Sequence, residues 1–122
     1  MEERILVIDD EVEICEMLKS FLVKKGYEVI TTTSAADGIE KLKTEKPKVI
    51  LLDIRMPDMD GVEVMKKIRK IDQNVVVIMA TGVIDEEIAR ETMKLGASDY
   101  IVKPFDLGYL EKSLMSKLAM LE

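Results

Sequence analysis

Histidine is absent from the 122-residue sequence, and that absence excludes more than any other feature of its composition. No histidine-based nucleophilic triad, histidine-ligated metal centre or phosphohistidine can belong to this chain, so a histidine that takes part must come from a partner. The single cysteine, Cys15, cannot close an internal disulfide. It lies in a helical pattern and reads as an inert, half-buried thiol, which fits a reducing compartment. No apolar run approaches the roughly 20 residues needed to span a bilayer, and the amino terminus (Met1, Glu2, Glu3) is acidic, so a cytoplasmic protein without membrane attachment is expected. A formal net charge of −6 argues against direct nucleic-acid binding, which draws its affinity from cationic contacts to phosphates. Any such role would need another domain. Amides are scarce, with only Gln73 and Asn74, a hint of heat adaptation that the nine methionines offset.

What is present is organised around Lys48 to Gly61, KVILLDIRMPDMDG. Val49, Ile50, Leu51 and Leu52 form the unbroken apolar run of a parallel strand covered on both faces, and it stops abruptly at Asp53. Pro57, Asp58, Asp60 and Gly61 then supply turn chemistry before a helical pattern carrying Val62, Met65, Ile68 and Ile71. Upstream, Arg4 to Ile8 is a strand running into Asp9, Asp10 and Glu11, followed by a helix from Val12 to Lys25 that Gly26 closes. Glu28 to Thr32 is a second strand. Ser34 with Asp37 caps a helix carrying Ala35, Ile39 and Leu42, and Pro47 blocks its continuation. Downstream, Val75 to Ala80 is an apolar strand ending at Thr81 and Gly82. A helix from about Asp85 to Leu95 carries Ile88, Ala89, Thr92 and Met93 and stops at Gly96. Tyr100 to Val102 is a short strand ending at Lys103 and Pro104. Asp106 caps a last helix with Leu107, Leu110, Leu114, Leu118 and Leu121 at the 3.6 period.

Five strands alternating with five helices predict one α/β domain over residues 1–122. Its sheet is doubly wound, parallel and five-stranded, in the flavodoxin-like order 2-1-3-4-5. In that order the crevice lies beyond the carboxyl ends of the first and third strands, where Asp9, Asp10 and Asp53 gather, with Thr81 and Lys103 on the same rim. Carboxylates this close repel by about 4 kcal/mol per pair at roughly 4 Å and an effective dielectric near 20, so a positive group must sit among them. An all-oxygen, carboxylate-rich site suits Mg²⁺ or Mn²⁺ rather than Zn²⁺. A calcium loop around Asp58, Asp60 and Gly61 is excluded by Met56 at its first position and Lys67 at its last.

With these residues in place, the chain resembles the receiver domain of two-component response regulators. The resemblance rests on Asp9 and Asp10, the DIRMPDMDG segment around Asp53, Thr81 followed by a small residue, and Lys103 before Pro104. It implies that Asp53 accepts a phosphoryl group from a histidine kinase or a histidine phosphotransfer protein. It also implies that Asp10, Asp53 and the backbone carbonyl of Arg55 bind Mg²⁺ directly, with Asp9 acting through water. Lys103 would contact the phosphoryl group, Thr81 would hydrogen-bond to it, Tyr100 would be the aromatic switch, and the Lys103–Pro104 peptide would be cis. Kinase docking near the first helix and the loop after the fifth strand would use Ile14, Met17, Pro104 and Phe105. A phosphorylation-dependent dimer or a downstream protein would receive the signal. Arg55 and Val83, each two residues beyond Asp53 and Thr81, offer no acceptor to orient a hydrolytic water, which implies a long-lived phosphorylated state.

Other activities fit less well. A flavin or nucleotide module needs a Gly- or Ser-rich phosphate cradle where Asp9, Asp10 and Glu11 stand. An aspartyl phosphatase wants an acid at the position of Arg55. The chain is thus expected to be a switch rather than a turnover enzyme. The alternative within the same fold is a binding platform that is never phosphorylated.

Overall fold

In the computed structural model, residues 3–82, 85–104 and 106–121 are described. The chain alternates β1 (Arg4–Ile8), α1 (Val12–Lys24), β2 (Glu28–Thr32), α2 (Ala35–Glu45), β3 (Val49–Leu52), α3 (Gly61–Ile71), β4 (Val76–Thr81), α4 (Glu86–Lys94), β5 (Asp99–Val102) and α5 (Leu107–Ala119). The strands form one parallel sheet in the order β2-β1-β3-β4-β5, as expected from the alternation.

Successive side chains on a strand point to opposite faces, so an unbroken apolar strand must feed two cores. Ile5, Val7, Val49, Leu51, Val76 and Ile78 pack with Cys15, Leu18 and Leu22 of α1 and Leu110 and Leu114 of α5. Their neighbours Leu6, Ile8, Ile50, Leu52, Val77 and Met79 pack on the other face with α2 and α3, through Ala35, Leu42, Val64, Met65 and Ile68. Strands β3 and β4 are buried along their whole length, and β1 is buried from Ile5 onward, so the polar groups of the rim fall at strand ends.

Helix starts follow local chemistry. Ser34 Oγ accepts from Asp37 N, Asp60 from Val62 N, Asp85 from Glu87 and Ile88 N, and Asp106 from Gly108 and Tyr109 N. Lys46 takes a left-handed conformation (φ 48°) just before Pro47, which disfavours helical geometry in the residue ahead of it. Gly26 and Gly96 close α1 and α4 with φ of 96° and 100°.

Some boundaries and helix faces differ from the sequence reading. Helix α3 begins at Gly61, one residue early, because Asp60 is its cap. Strand β4 runs one residue later and includes Thr81, while β5 begins at Asp99. Met93 is exposed because it lies about 100° around its helix from the buried Thr92, and Ile71, the last residue of α3, is exposed as well. Leu121 lies beyond the last residue of α5 and is also exposed.

Candidate functional site

The register of β1, β3, β4 and β5 sets the site. Asp53 N donates to Ile8 O (3.0 Å), Asp9 N to Thr32 O (3.1 Å) and Lys103 N to Thr81 O (2.7 Å), so the residues just beyond each strand are tied to the neighbouring strand's end. Asp9 and Asp53 are only 3% and 5% exposed. Each carboxylate also accepts from a backbone N–H two residues on: Asp9 Oδ1 from Glu11 N (2.9 Å) and Asp53 Oδ1 from Arg55 N (3.1 Å). These short turns fix both side-chain rotamers from within the chain.

The positive group that the sequence demands is Lys103. Its ammonium donates to Asp9 Oδ2 at 2.6 Å and Asp53 Oδ2 at 3.1 Å, and lies 3.5 Å from Glu11 Oε1. Burial works against the charge on Lys103, but its hydrogen bonds to Asp9 and Asp53 prevail and raise its pKa, so it stays cationic. For Asp9, burial is the largest influence and raises the pKa, against the hydrogen bond from Lys103. Cys15, whose Sγ donates to the Asp9 carbonyl (3.3 Å), is pushed by burial to about 11, as befits an inert thiol.

A cavity of about 310 Å³ opens beside these groups, lined by Asp10, Glu11, Asp53, Arg55, Thr81 and Gly82. Thr81 is fully buried at the end of β4, whereas Asp10 and Arg55 are exposed at the mouth. Asp9, Asp10, Glu11 and Asp53 can each present an oxygen such that all four lie within 4.8 Å of one another. Oxygen-only donors at this density fit a hard divalent cation such as Mg²⁺. Glu11 belongs to this cluster although the sequence motif does not require it; its place directly after Asp9 and Asp10 is the available signal.

The remaining expected residues are placed as follows. Tyr100 is half-buried against the α2/α3 face of the core. Burial chiefly raises its pKa, followed by the charge of Asp85, with Asp53 contributing less. The Lys103–Pro104 peptide is cis. On α1, Cys15, Leu18 and Leu22 form the buried margin; Ile14 is half-buried beside them and Met17 is 39% exposed. Pro104 is exposed. Phe105 and Val83 lie outside the described residues.

Comparison with known proteins agrees with this geometry. A family model of the response regulator receiver domain matches residues 5–115. The chain is 40% identical over 106 residues to the chemotaxis protein CheY of Thermotoga maritima, covering 86% of this chain and 88% of that protein. It is 31% identical over 120 residues to sporulation initiation phosphotransferase F of Bacillus subtilis, covering 98% and 97%. A CheY-like receiver domain protein from Methanospirillum hungatei JF-1 superposes with a TM-score of 0.95 at 33% identity, over 98% of this chain and 96% of that one. Fold, strand-end acids and relatives point the same way, and the chain belongs to the receiver domains of two-component response regulators.

Proposed function

We propose that Asp53 is the phosphoacceptor of this receiver and that residues 1–122 form the switching domain. The observation that carries the reading is the placement of Lys103 Nζ between Asp9 and Asp53, beside a cavity that Thr81 walls. An ionised, rotamer-locked Asp53 attacks the phosphorus of a partner's phosphohistidine. The P–O bond to Asp53 forms as the P–N bond breaks, and the electron pair of that bond leaves with the donor imidazole. Transfer of this kind needs positioning and charge neutralisation more than covalent assistance. Lys103 neutralises charge on the incoming phosphoryl oxygens, and the Thr81 hydroxyl hydrogen-bonds to one of them. Asp10, Asp53 and the Arg55 carbonyl, with Asp9 behind them, would hold Mg²⁺ (Mn²⁺ would serve too), which supplies the rest of the neutralisation when bound.

The partner is a histidine kinase or histidine phosphotransfer protein, which brings the histidine this chain lacks. It docks on the open margin of α1 through Ile14 and Met17 and on Pro104 and Phe105. Thr81 drawn toward the phosphoryl group vacates space that Tyr100 enters, altering the surface offered to a second copy or a downstream protein. The site is that of a signalling switch acting in the cytoplasm. No described helix is long and apolar enough to cross a membrane.

Intact mass after incubation with acetyl phosphate and Mg²⁺ tests the assignment. Wild type should gain one phosphoryl group and Asp53→Asn none. A wild type that gains nothing would favour the unphosphorylated binding platform, and an Asp53→Asn that gains as much would move the acceptor elsewhere.

A further inference from the structure

The loop between β3 and α3 carries Arg55 away from Asp53 and returns to begin α3. Its base is stitched: Gly61 N donates to Ile54 O at 3.0 Å, and Arg55 and Asp60 form an antiparallel bridge. Gly61 also lies so close to Ile54 that an added Cβ would sit 2.7 Å from the Ile54 Cα. The tip, Pro57 to Met59, is not held by that stitching. Met59 packs against the α2/α3 core, and Asp58 bonds the tip to a different element: Asp58 Oδ1 accepts from Ala35 N and Asp58 Oδ2 from Ala36 N, both at 3.0 Å.

Those two N–H groups are the ones that the helix's own cap leaves open. Ser34 serves Asp37 N through its hydroxyl and Gly38 N through its carbonyl, so Asp58 completes the first turn of α2 from outside. Helix α2 in turn rests on Ile8, since a Cβ on Gly38 would fall 2.5 Å from Ile8 Cδ1. Ile8 leads into Asp9, and its carbonyl accepts from Asp53 N. The contacts therefore close a ring, from the end of β1 through α2 and Asp58 to the loop, and back through Asp53 to β1. The acids after β1 and Arg55 belong to different arms of that ring and line one cavity.

We infer that Asp58 is a positioning residue for the cation site: by anchoring the loop tip to α2 it holds the Arg55 segment at a fixed distance from Asp9 and Asp10. The inference rests on the metal-binding reading proposed above. A carboxylate suits the task because both of its oxygens accept, whereas an amide offers one acceptor and turns a donor toward a backbone N–H. Partners one step removed from a metal characteristically change its affinity without touching it.

Calorimetric titration with MgCl₂ alone tests this on wild type, Asp58→Asn and Ser34→Ala. The last removes the helix's other cap and serves as the control for a purely structural loss. Asp58→Asn should weaken Mg²⁺ binding about tenfold, the lower end of what such partners contribute, while Ser34→Ala leaves it unchanged even if both lower the urea midpoint. In wild type, Mg²⁺ should also slow amide exchange at Ala35 and Ala36, a readout that needs no variant to fold. Unchanged affinity in Asp58→Asn, equal losses in the two variants, or unchanged exchange would overturn the inference. A wild type that binds no Mg²⁺ would instead remove the metal site itself, and the inference with it.

Discussion

Replacing Lys103 by methionine keeps most of the side chain's length and removes its charge from between two buried carboxylates. At an effective dielectric near 20, the attraction is about 6 kcal/mol at the 2.6 Å contact with Asp9 and about 5 kcal/mol at the 3.1 Å contact with Asp53. Desolvating the ammonium, whose side chain is 10% exposed, offsets several kcal/mol of that gross figure. Loss of one partner from a buried pair costs about 3–5 kcal/mol because the other charge stays behind. The low end, about 3 kcal/mol, applies here, since the adjoining cavity of about 310 Å³ lets water reach the acids. With a urea slope of about 2 kcal/mol per M, the midpoint should fall by about 1.5 M at neutral pH without metal. Lys103 has a raised pKa, so its contribution is complete below the unfolded value near 10.5 and is lost only as pH rises through the higher folded value. The deficit of the variant should therefore persist across neutral pH and narrow in acid, as Asp9, raised by burial, takes up a proton. Asp9→Asn combined with Lys103→Met should be less destabilised than the sum of the single variants. A Lys103→Met midpoint equal to that of wild type, or strict additivity in the double variant, would refute the reasoning.

Three further outcomes are expected. Cys15, with a pKa near 11 against an ordinary 9.0, should react with a thiol reagent about a hundredfold more slowly at roughly pH 8 than an unperturbed cysteine, and lose that protection in urea; equal rates would refute its burial. Gly61→Ala should cost about 1–3 kcal/mol in urea unfolding, because its Cβ meets the Ile54 backbone, and Gly38→Ala less, because its Cβ meets the movable end of the Ile8 side chain; the reverse order would count against this packing. Burial pushes the pKa of Asp99 up, but hydrogen bonds from Ser113, the Tyr100 N–H and Tyr109 prevail and hold it low. Its stabilisation is thus present above about pH 4 and lost as pH falls through the lower folded value, so Ser113→Ala should cost about 1 kcal/mol at neutral pH and less in acid, as urea midpoints across pH would show.

Local patterns in the sequence determined the ten elements and the rim. Four-residue apolar runs demand strands with two covered faces, Ser34 and Asp106 cap the helices that follow them, and the breaks at Gly26, Pro47 and Gly96 fall where backbone geometry requires them. All of these signals act within a few residues, which is why a single chain displays them. The strand order was also legible, because five alternating units leave few topologies, and with it the gathering of Asp9, Asp10, Asp53, Thr81 and Lys103. Which of the acids is buried, and which group neutralises them, belonged to the tertiary structure. Asp9 and Asp10 are chemically alike and adjacent, yet only Asp9 turns inward to meet Lys103, 94 positions away, while Asp10 stays at the mouth. Asp58 reads as a turn residue in sequence, because its partners Ala35 and Ala36 are backbone groups on another element and leave no trace in side-chain identity. Exposure on the helices was likewise decided late: Met93 carries an apolar side chain at plausible spacing, but the packing of α4 buries its neighbour Thr92 instead, and Leu121 falls beyond the last residue of α5.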